Sequence, residues 1–179
     1  MAGTENAPSI EARLRAIEDR LAIYHLIASH PPSADTAADF YTEAVYLADG
    51  VFDRGEGLLG AVGAHEIGAI TQTPEHQQAI AAGIAHFAGL PIIELDGDSA
   101  TVTSYLQLLY PDVTGEERQL PNHGMSRGYR VHRVVANHWE LARTPEGWKI
   151  KSRKLRPLDS SQPGRDILAA ALESYRPAP

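Results

Sequence analysis

His86-Phe-Ala-Gly-Leu-Pro-Ile-Ile-Glu-Leu-Asp-Gly-Asp-Ser-Ala-Thr-Val-Thr-Ser-Tyr105 places two runs of branched and aromatic residues on either side of Asp96-Gly97-Asp98. Such runs read as strands, and Asp-Gly supplies the tight turn of a hairpin. The two strands are expected over Phe87–Leu95 and Ser99–Tyr110. Downstream, Tyr129–Thr144 and Trp148–Leu155 repeat the pattern about the turn Pro145-Glu146-Gly147. Between the hairpins, residues 111–128 form a long connection with Pro, Gly and Asn, a length more often functional than idle.

Upstream of His86 the period changes. Ser9 can cap a helix, and Ile10, Leu14, Ile17, Leu21, Tyr24 and Ala28 recur at spacings of four and three. That stripe predicts one buried face of a helix about five turns long, ended by Pro31-Pro32. A short second helix is expected from Ser33 or Asp35 to Thr42. Ala44–Ala48 and Val51–Arg54 read as short strands about Asp49-Gly50. Residues 64–83 read as helix interrupted at Thr73-Pro74, and Arg165–Tyr175 as a closing helix. Helices followed by long antiparallel strands predict an α+β fold, with helices packed in the concavity of a strongly curved sheet. The open mouth of such a cone is a ligand site.

The 179 residues suit one domain. We divide them into a frayed start at 1–8, an α+β domain over 9–156 and a C-terminal extension with a helix over 157–179. The net charge of −7 argues against nucleic acid as partner. The one basic run, Lys149 to Arg156, reads as a solvated strand edge. No cysteine is present, which removes disulfides, thiolate metal sites and a cysteine nucleophile, and fits a reducing cytoplasm. The opening Met1-Ala-Gly-Thr-Glu-Asn has neither the basic start nor the apolar core of a signal peptide. No run is apolar enough to predict a membrane span. A cytoplasmic protein is therefore expected.

Gly55-Glu-Gly-Leu-Leu-Gly60 matches a dinucleotide fingerprint, but no alternating strand–helix series surrounds it, so a loop at the cavity mouth is the better reading. His65-Glu66 lacks the second histidine of a zinc motif, because position 69 is Ala. No metal or cofactor is expected. Acid–base chemistry remains, with His86 at the helix-to-strand junction as its candidate, since imidazole has the ordinary pKa nearest neutrality. Apolar residues on both faces of the strand Tyr129–Thr144 predict a covered outer face, hence a homodimer or homotrimer.

Several strings resemble a known family. Ile17-Glu-Asp-Arg-Leu-Ala-Ile-Tyr24, Phe40-Tyr-Thr-Glu-Ala-Val-Tyr46, the hairpin quoted above and Trp139-Glu-Leu-Ala-Arg-Thr-Pro-Glu-Gly-Trp148-Lys-Ile stand in the order found in the SnoaL-like branch of the nuclear transport factor 2-like superfamily. The resemblance implies a cone-shaped cystatin-like fold. Its members include dehydratases, dehydrochlorinases, ketosteroid isomerases, cyclases, lyases and proteins that only bind. In the dehydratase relatives a histidine opening the hairpin strand, here His86, works with an aspartate near the end of helix one. An ungapped count puts Ser29 at that place, and Asp35 reaches it only with the chain shifted and the second helix shortened. Ketosteroid isomerase points instead to Asp49.

The expectation is therefore a cofactor-independent lyase or isomerase acting on a small apolar aromatic or polycyclic substrate. The alternative is a binding protein with the same pocket. His86 is the expected base, and Asp35 or Asp49 its partner. Tyr24, Tyr46, Tyr105, Asn137 and Trp139 are the expected substrate contacts.

Overall fold

The computed structural model describes residues 7–177. The expected fraying of 1–8 falls mainly on residues 1–6, outside the described residues. Two helices, α1 (Ile10–Asp35) and α2 (Asp39–Val45), lead into strand β1 (Tyr46–Asp53) and the short β2 (Ala61–Val62). Helices α3 (Ala64–Ala69) and α4 (Pro74–Ala81) flank a 3₁₀ turn at Ile70–Gln72. Strands β3 (Ala85–Ala88), β4 (Ile92–Asp96), β5 (Ser99–Pro111), β8 (Tyr129–Thr144) and β9 (Gly147–Pro157) complete the main sheet. A separate small hairpin, β6 (Arg118–Leu120) and β7 (Gly124–Ser126), occupies the long connection read as a loop. Helix α5 (Pro163–Ala170) packs on β8 and β9, with a 3₁₀ turn at Glu173–Tyr175 where one continuous helix was expected.

The sheet order is β2-β1-β9-β8-β5-β3, with β4 beside β5. All pairings are antiparallel except β1 with β9. The expected α+β layout is the observed one: helices pack against a mainly antiparallel sheet. The strand expected over Phe87–Leu95 is two strands on the same edge of β5. Pro91 has no N–H to give the ladder, and Gly89 N–H reaches Tyr105 O at 2.8 Å to restart it. Likewise β1 runs through Asp49-Gly50 rather than turning there. A bulge between Tyr46 and Val51 absorbs the kink. A Cβ on Gly50 would stand 2.9 Å from Leu47 O, so the bulge requires glycine. The basic run is no edge: β9 lies between β1 and β8, and Arg153 is buried.

Helix α1 departs most from the reading. It does not stop at Pro31-Pro32 but continues to Asp35. Proline has helical φ, but inside a helix it gives up an N–H bond and its ring crowds the carbonyl four residues back, so the turn needs other support. The last turn is held by Ser33 Oγ donating to His30 O (2.7 Å) and by Thr36 N–H and Oγ1 donating to Pro32 O (3.0 and 2.8 Å). The second helix consequently starts at Asp39, not at Ser33 or Asp35. The buried face is also different. Ile10, Leu14, Ile17, Leu21 and Tyr24 are 40–76% exposed, whereas Asp19, Ile23, Leu26, Ile27, His30 and Ser33 are buried.

An ion-pair anchor and an apolar patch on that inner face explain the rotation. Asp19 accepts both Arg143 terminal nitrogens at 2.6 Å and Trp148 Nε1 at 3.1 Å. Arg143 also reaches Asp98 at 2.8 Å, so one guanidinium ties α1 to both hairpin turns. Ile23, Leu26 and Ile27 then meet Tyr46, Val102, Trp139, Leu141 and Ile150 in the core.

Candidate active site

Beyond this core the sheet and helices diverge around a cavity of about 550 Å³. Its apolar wall includes Phe52, Ile67, Ile70, Ile84, Leu106 and Leu108. Leu58 and Leu59 of the glycine-rich run also face it, so that run is a loop at the cavity, as its sequence context required. Into this apolar space project His30, His76, His86, His132, Arg54, Arg133 and Arg153.

The extension of α1 past its prolines carries Asp35 to His86. Asp35 Oδ1 lies 2.6 Å from His86 Nδ1, and the His86 backbone N–H donates to Oδ2 and Oδ1 at 3.0 and 3.2 Å. A carboxylate only accepts, so Nδ1 carries the proton. In the neutral ring Nε2 is then the basic nitrogen, and among the described residues no protein group bonds it. The Asp35 segment is braced from α4 and the 3₁₀ turn: His76 Nε2 donates to Ala34 O and Gln72 Nε2 to Ala37 O, both at 2.7 Å. Both partners are largely shielded, with side chains 15% and 25% exposed.

Arg153 lies under the same cavity. Its Nε donates to Asn137 Oδ1 at 3.0 Å and its Nη1 to His30 Nε2. Its guanidinium carbon stands 4.2 Å from the Trp139 ring centre and 4.9 Å from that of Phe52. No carboxylate pairs with it among the described residues. Burial pushes its pKa down to about 10. Burial, then the Arg153 charge, then that of His86 hold His30 well below the usual imidazole value. His30 is thus neutral. Since arginine only donates, His30 Nε2 must accept, and its own proton sits on Nδ1.

Of the expected site residues, the fold brings His86 and Asp35 together. Asp49 is exposed and away from the cavity, on the bulged stretch of β1 that continues rather than turning. The expected substrate contacts do not line the cavity. Tyr24 lies on the outer face of α1, and Tyr105 is 48% exposed. Tyr46 is sealed in the core, where burial pushes its hydroxyl up to about 12. Asn137 and Trp139 are buried behind Arg153 and position it. Sequence reading missed His30 and Arg153: one was hidden by the face assigned to α1, the other by the basic run around it. Among the described residues no group of three or more His, Asp or Glu side chains could hold a metal ion, and no helix is long and apolar enough to cross a membrane.

The profile of the SnoaL-like domain matches residues 15–154. Among solved structures, the chain is similar to an NTF2-like protein with a cystatin-like fold from Novosphingobium aromaticivorans. That match has 30% identity and a TM-score of 0.79, and covers 93% of this chain and 99% of the other. A candidate aromatic ring hydroxylase from the same organism matches at 25% identity and TM-score 0.57, over 80% and 91% of the two chains. A candidate scytalone dehydratase, also from that organism, shares the fold at 17% identity and TM-score 0.59, over 81% and 87%. No curated protein matches in sequence.

Proposed function

The chain belongs to the SnoaL-like domain family, and on that footing we propose that it is an acid–base lyase or isomerase for a small, largely apolar cyclic substrate. The observation that carries this is the Asp35–His86 pair at the wall of an apolar cavity. His86 Nε2 takes a proton from a carbon next to a carbonyl, or from a hydroxyl. The imidazolium that forms lies against the Asp35 carboxylate, which holds the ring in place and offsets its charge. The electron pair left on the substrate moves onto its oxygen. Arg153, a buried cation with no carboxylate of its own, faces that developing charge; a fixed charge in an apolar site stabilises it more than water does. Return of the proton from Nε2 to another carbon completes an isomerisation. Its delivery to a departing hydroxyl completes an elimination.

The test is a panel of cyclic hydroxy-ketones and aromatic alcohols in deuterated water, with NMR reading both product and exchange of the acidic C–H. Turnover or exchange by the wild type, lowered about 10²–10⁴-fold in His86→Gln, is the expected result. Equal rates in the variant would overturn the assignment. Saturable binding with neither turnover nor exchange would mark a ligand-binding protein instead.

A further inference from the structure

Arg54 and Arg133 are not used by the chemistry above, yet both line the cavity. Arg54 follows the end of β1, lies 5.8 Å over the Phe52 ring and donates to Leu59 O at 3.3 Å. Arg133 is on β8 opposite Leu108 of β5, which is in turn opposite His86 of β3. Three strands therefore carry His86, Leu108 and Arg133 side by side, with His86 and Arg133 about 10 Å apart at the backbone. Among the described residues neither arginine has a carboxylate within ion-pair distance. The acids nearby are engaged elsewhere: Asp53 by Arg156 at 2.5 Å, and Asp35 by His86. Glu75, on α4, also borders the cavity but pairs with neither. Burial and then the Arg133 charge lower the Arg54 pKa, so the two cations repel each other. In a chain of net charge −7 this is a local inversion of sign, and an anion would relieve it.

We propose that Arg54 and Arg133 form a carboxylate seat, so that the substrate is a cyclic carboxylic acid whose charged group lies across the cavity from the carbon presented to His86. This rests on the acid–base reading only for the role of His86; the seat itself is a matter of binding. Naphthoate and its neutral analogue naphthamide are the probes, with affinity measured by calorimetry at low and high salt. Naphthoate should bind at least about tenfold more tightly than naphthamide, and the preference should shrink with salt. Arg54→Gln and Arg133→Gln should each remove most of that preference, Arg133→Lys should keep part of it, and naphthamide affinity should not move. His86→Gln should leave the preference intact, which separates this proposal from the catalytic one. Equal affinities in the wild type, or a preference that survives both glutamine substitutions, would overturn the seat. Loss of the preference only in Arg153→Gln would also overturn it, by placing the anion on Arg153.

A second inference stands on the outer face of α1. Ile10, Leu14, Ile17, Leu21, Tyr24 and Ala28 keep the alternating four-and-three spacing of a coiled-coil seam, and all are exposed. Glu11 and Glu18 flank the seam on one side, and Arg13 and Arg20 on the other. In a parallel pairing with an identical helix, Arg13 meets Glu18 of the second copy. In an antiparallel pairing arginine meets arginine and glutamate meets glutamate. The geometry points to a second copy of this chain as occupant, joined through parallel α1 helices. Sedimentation at micromolar concentration should give a dimer for the wild type and a monomer for Leu14→Glu/Leu21→Glu with unchanged circular dichroism. A wild-type monomer, a trimer, or a dimer that survives the double substitution would overturn this.

Discussion

The hairpin of β4 and β5 follows its β-branched runs and Asp-Gly turn, whereas the helix α1 does not follow its hydrophobic periodicity: its apolar stripe is exposed. In the hairpin one register satisfies every level at once: Asp96 pairs with Ser99, and Val102 turns into the core. In α1 the most apolar face looks outward and the buried one carries Asp19, His30 and Ser33. The difference lies in what each element is for. The hairpin contributes packing and, through Leu106 and Leu108, apolar cavity wall. The inner face of α1 must also supply an ion-pair anchor at Asp19, a ring that orders Arg153 at His30, and a carboxylate for His86 at Asp35. Polar residues with fixed partners can define a buried face as firmly as apolar ones, and a hydropathy pattern does not register them.

The sharpest way to test this contrast is at the functional end of α1. Asp35→Ala should keep the fold, since Asp35 is partly exposed, while lowering turnover about 10²–10⁴-fold through loss of the His86 tautomer and orientation. The drop should fall mainly on kcat, because the side chain acts through His86. Rates within threefold of wild type under the same assay would mean that the helix end is merely structural.

Next comes packing. Ile23→Ala on the inner face should cost about 2–5 kcal/mol in denaturant unfolding, as a fully buried branched side chain does. Ala22, one position away, is exposed, and Ala22→Ser should stay within about 0.5 kcal/mol. Similar losses at both positions would show that the two faces are not as different as described.

These comparisons also mark how far the sequence could be read. The two long hairpins with their turns at Asp96-Gly97 and Glu146-Gly147, the helix break at Thr73-Pro74 and the place of His86 at the start of a strand were legible because each rests on local chemistry: β-branching, tight-turn residues, a capping threonine. Asp49-Gly50, with the same turn chemistry, was absorbed into β1 by a bulge. Asp35 was visible only as one of two candidates. Its placement depends on whether a Pro-Pro pair ends a helix or rides within its last turn, and the hydrogen bonds that settle this come from Ser33 and Thr36 together. The substrate contacts were misplaced for a related reason. Tyr46 and Trp139, assigned to the cavity, fill the core, while the cavity is lined chiefly by arginine, histidine and aliphatic groups, with Phe52 and Tyr110 its aromatic ones. Nothing in a single chain marks Arg153 apart from Lys151 or Lys154 until β9 is seen to lie mid-sheet.

The smallest effect expected is a pH dependence that distinguishes the polar inner face of α1 from an apolar one. The folded-state pKa of His30 lies well below 6.5, its ordinary value, first through burial and then through the Arg153 charge. Below pH 6.5 the unfolded chain therefore binds a proton that the native chain refuses. Stability must fall as pH falls through that value, by up to about 1.4 kcal/mol per pH unit for one proton. His138, also lowered by burial, acts in the same direction. The carboxylates Asp19 and Asp53, held low mainly by Arg143 and Arg156, add their loss only at more acidic pH. Between about pH 6.5 and 5, His30 and His138 therefore both make stability fall as pH falls. His30→Gln, which keeps an acceptor for Arg153, should flatten the slope by as much as one proton, as read from urea midpoints across that range. An unchanged slope would mean that His30 takes up its proton in the native state as readily as in water. In that case the buried face of α1 would not hold the neutral ring that Arg153 requires.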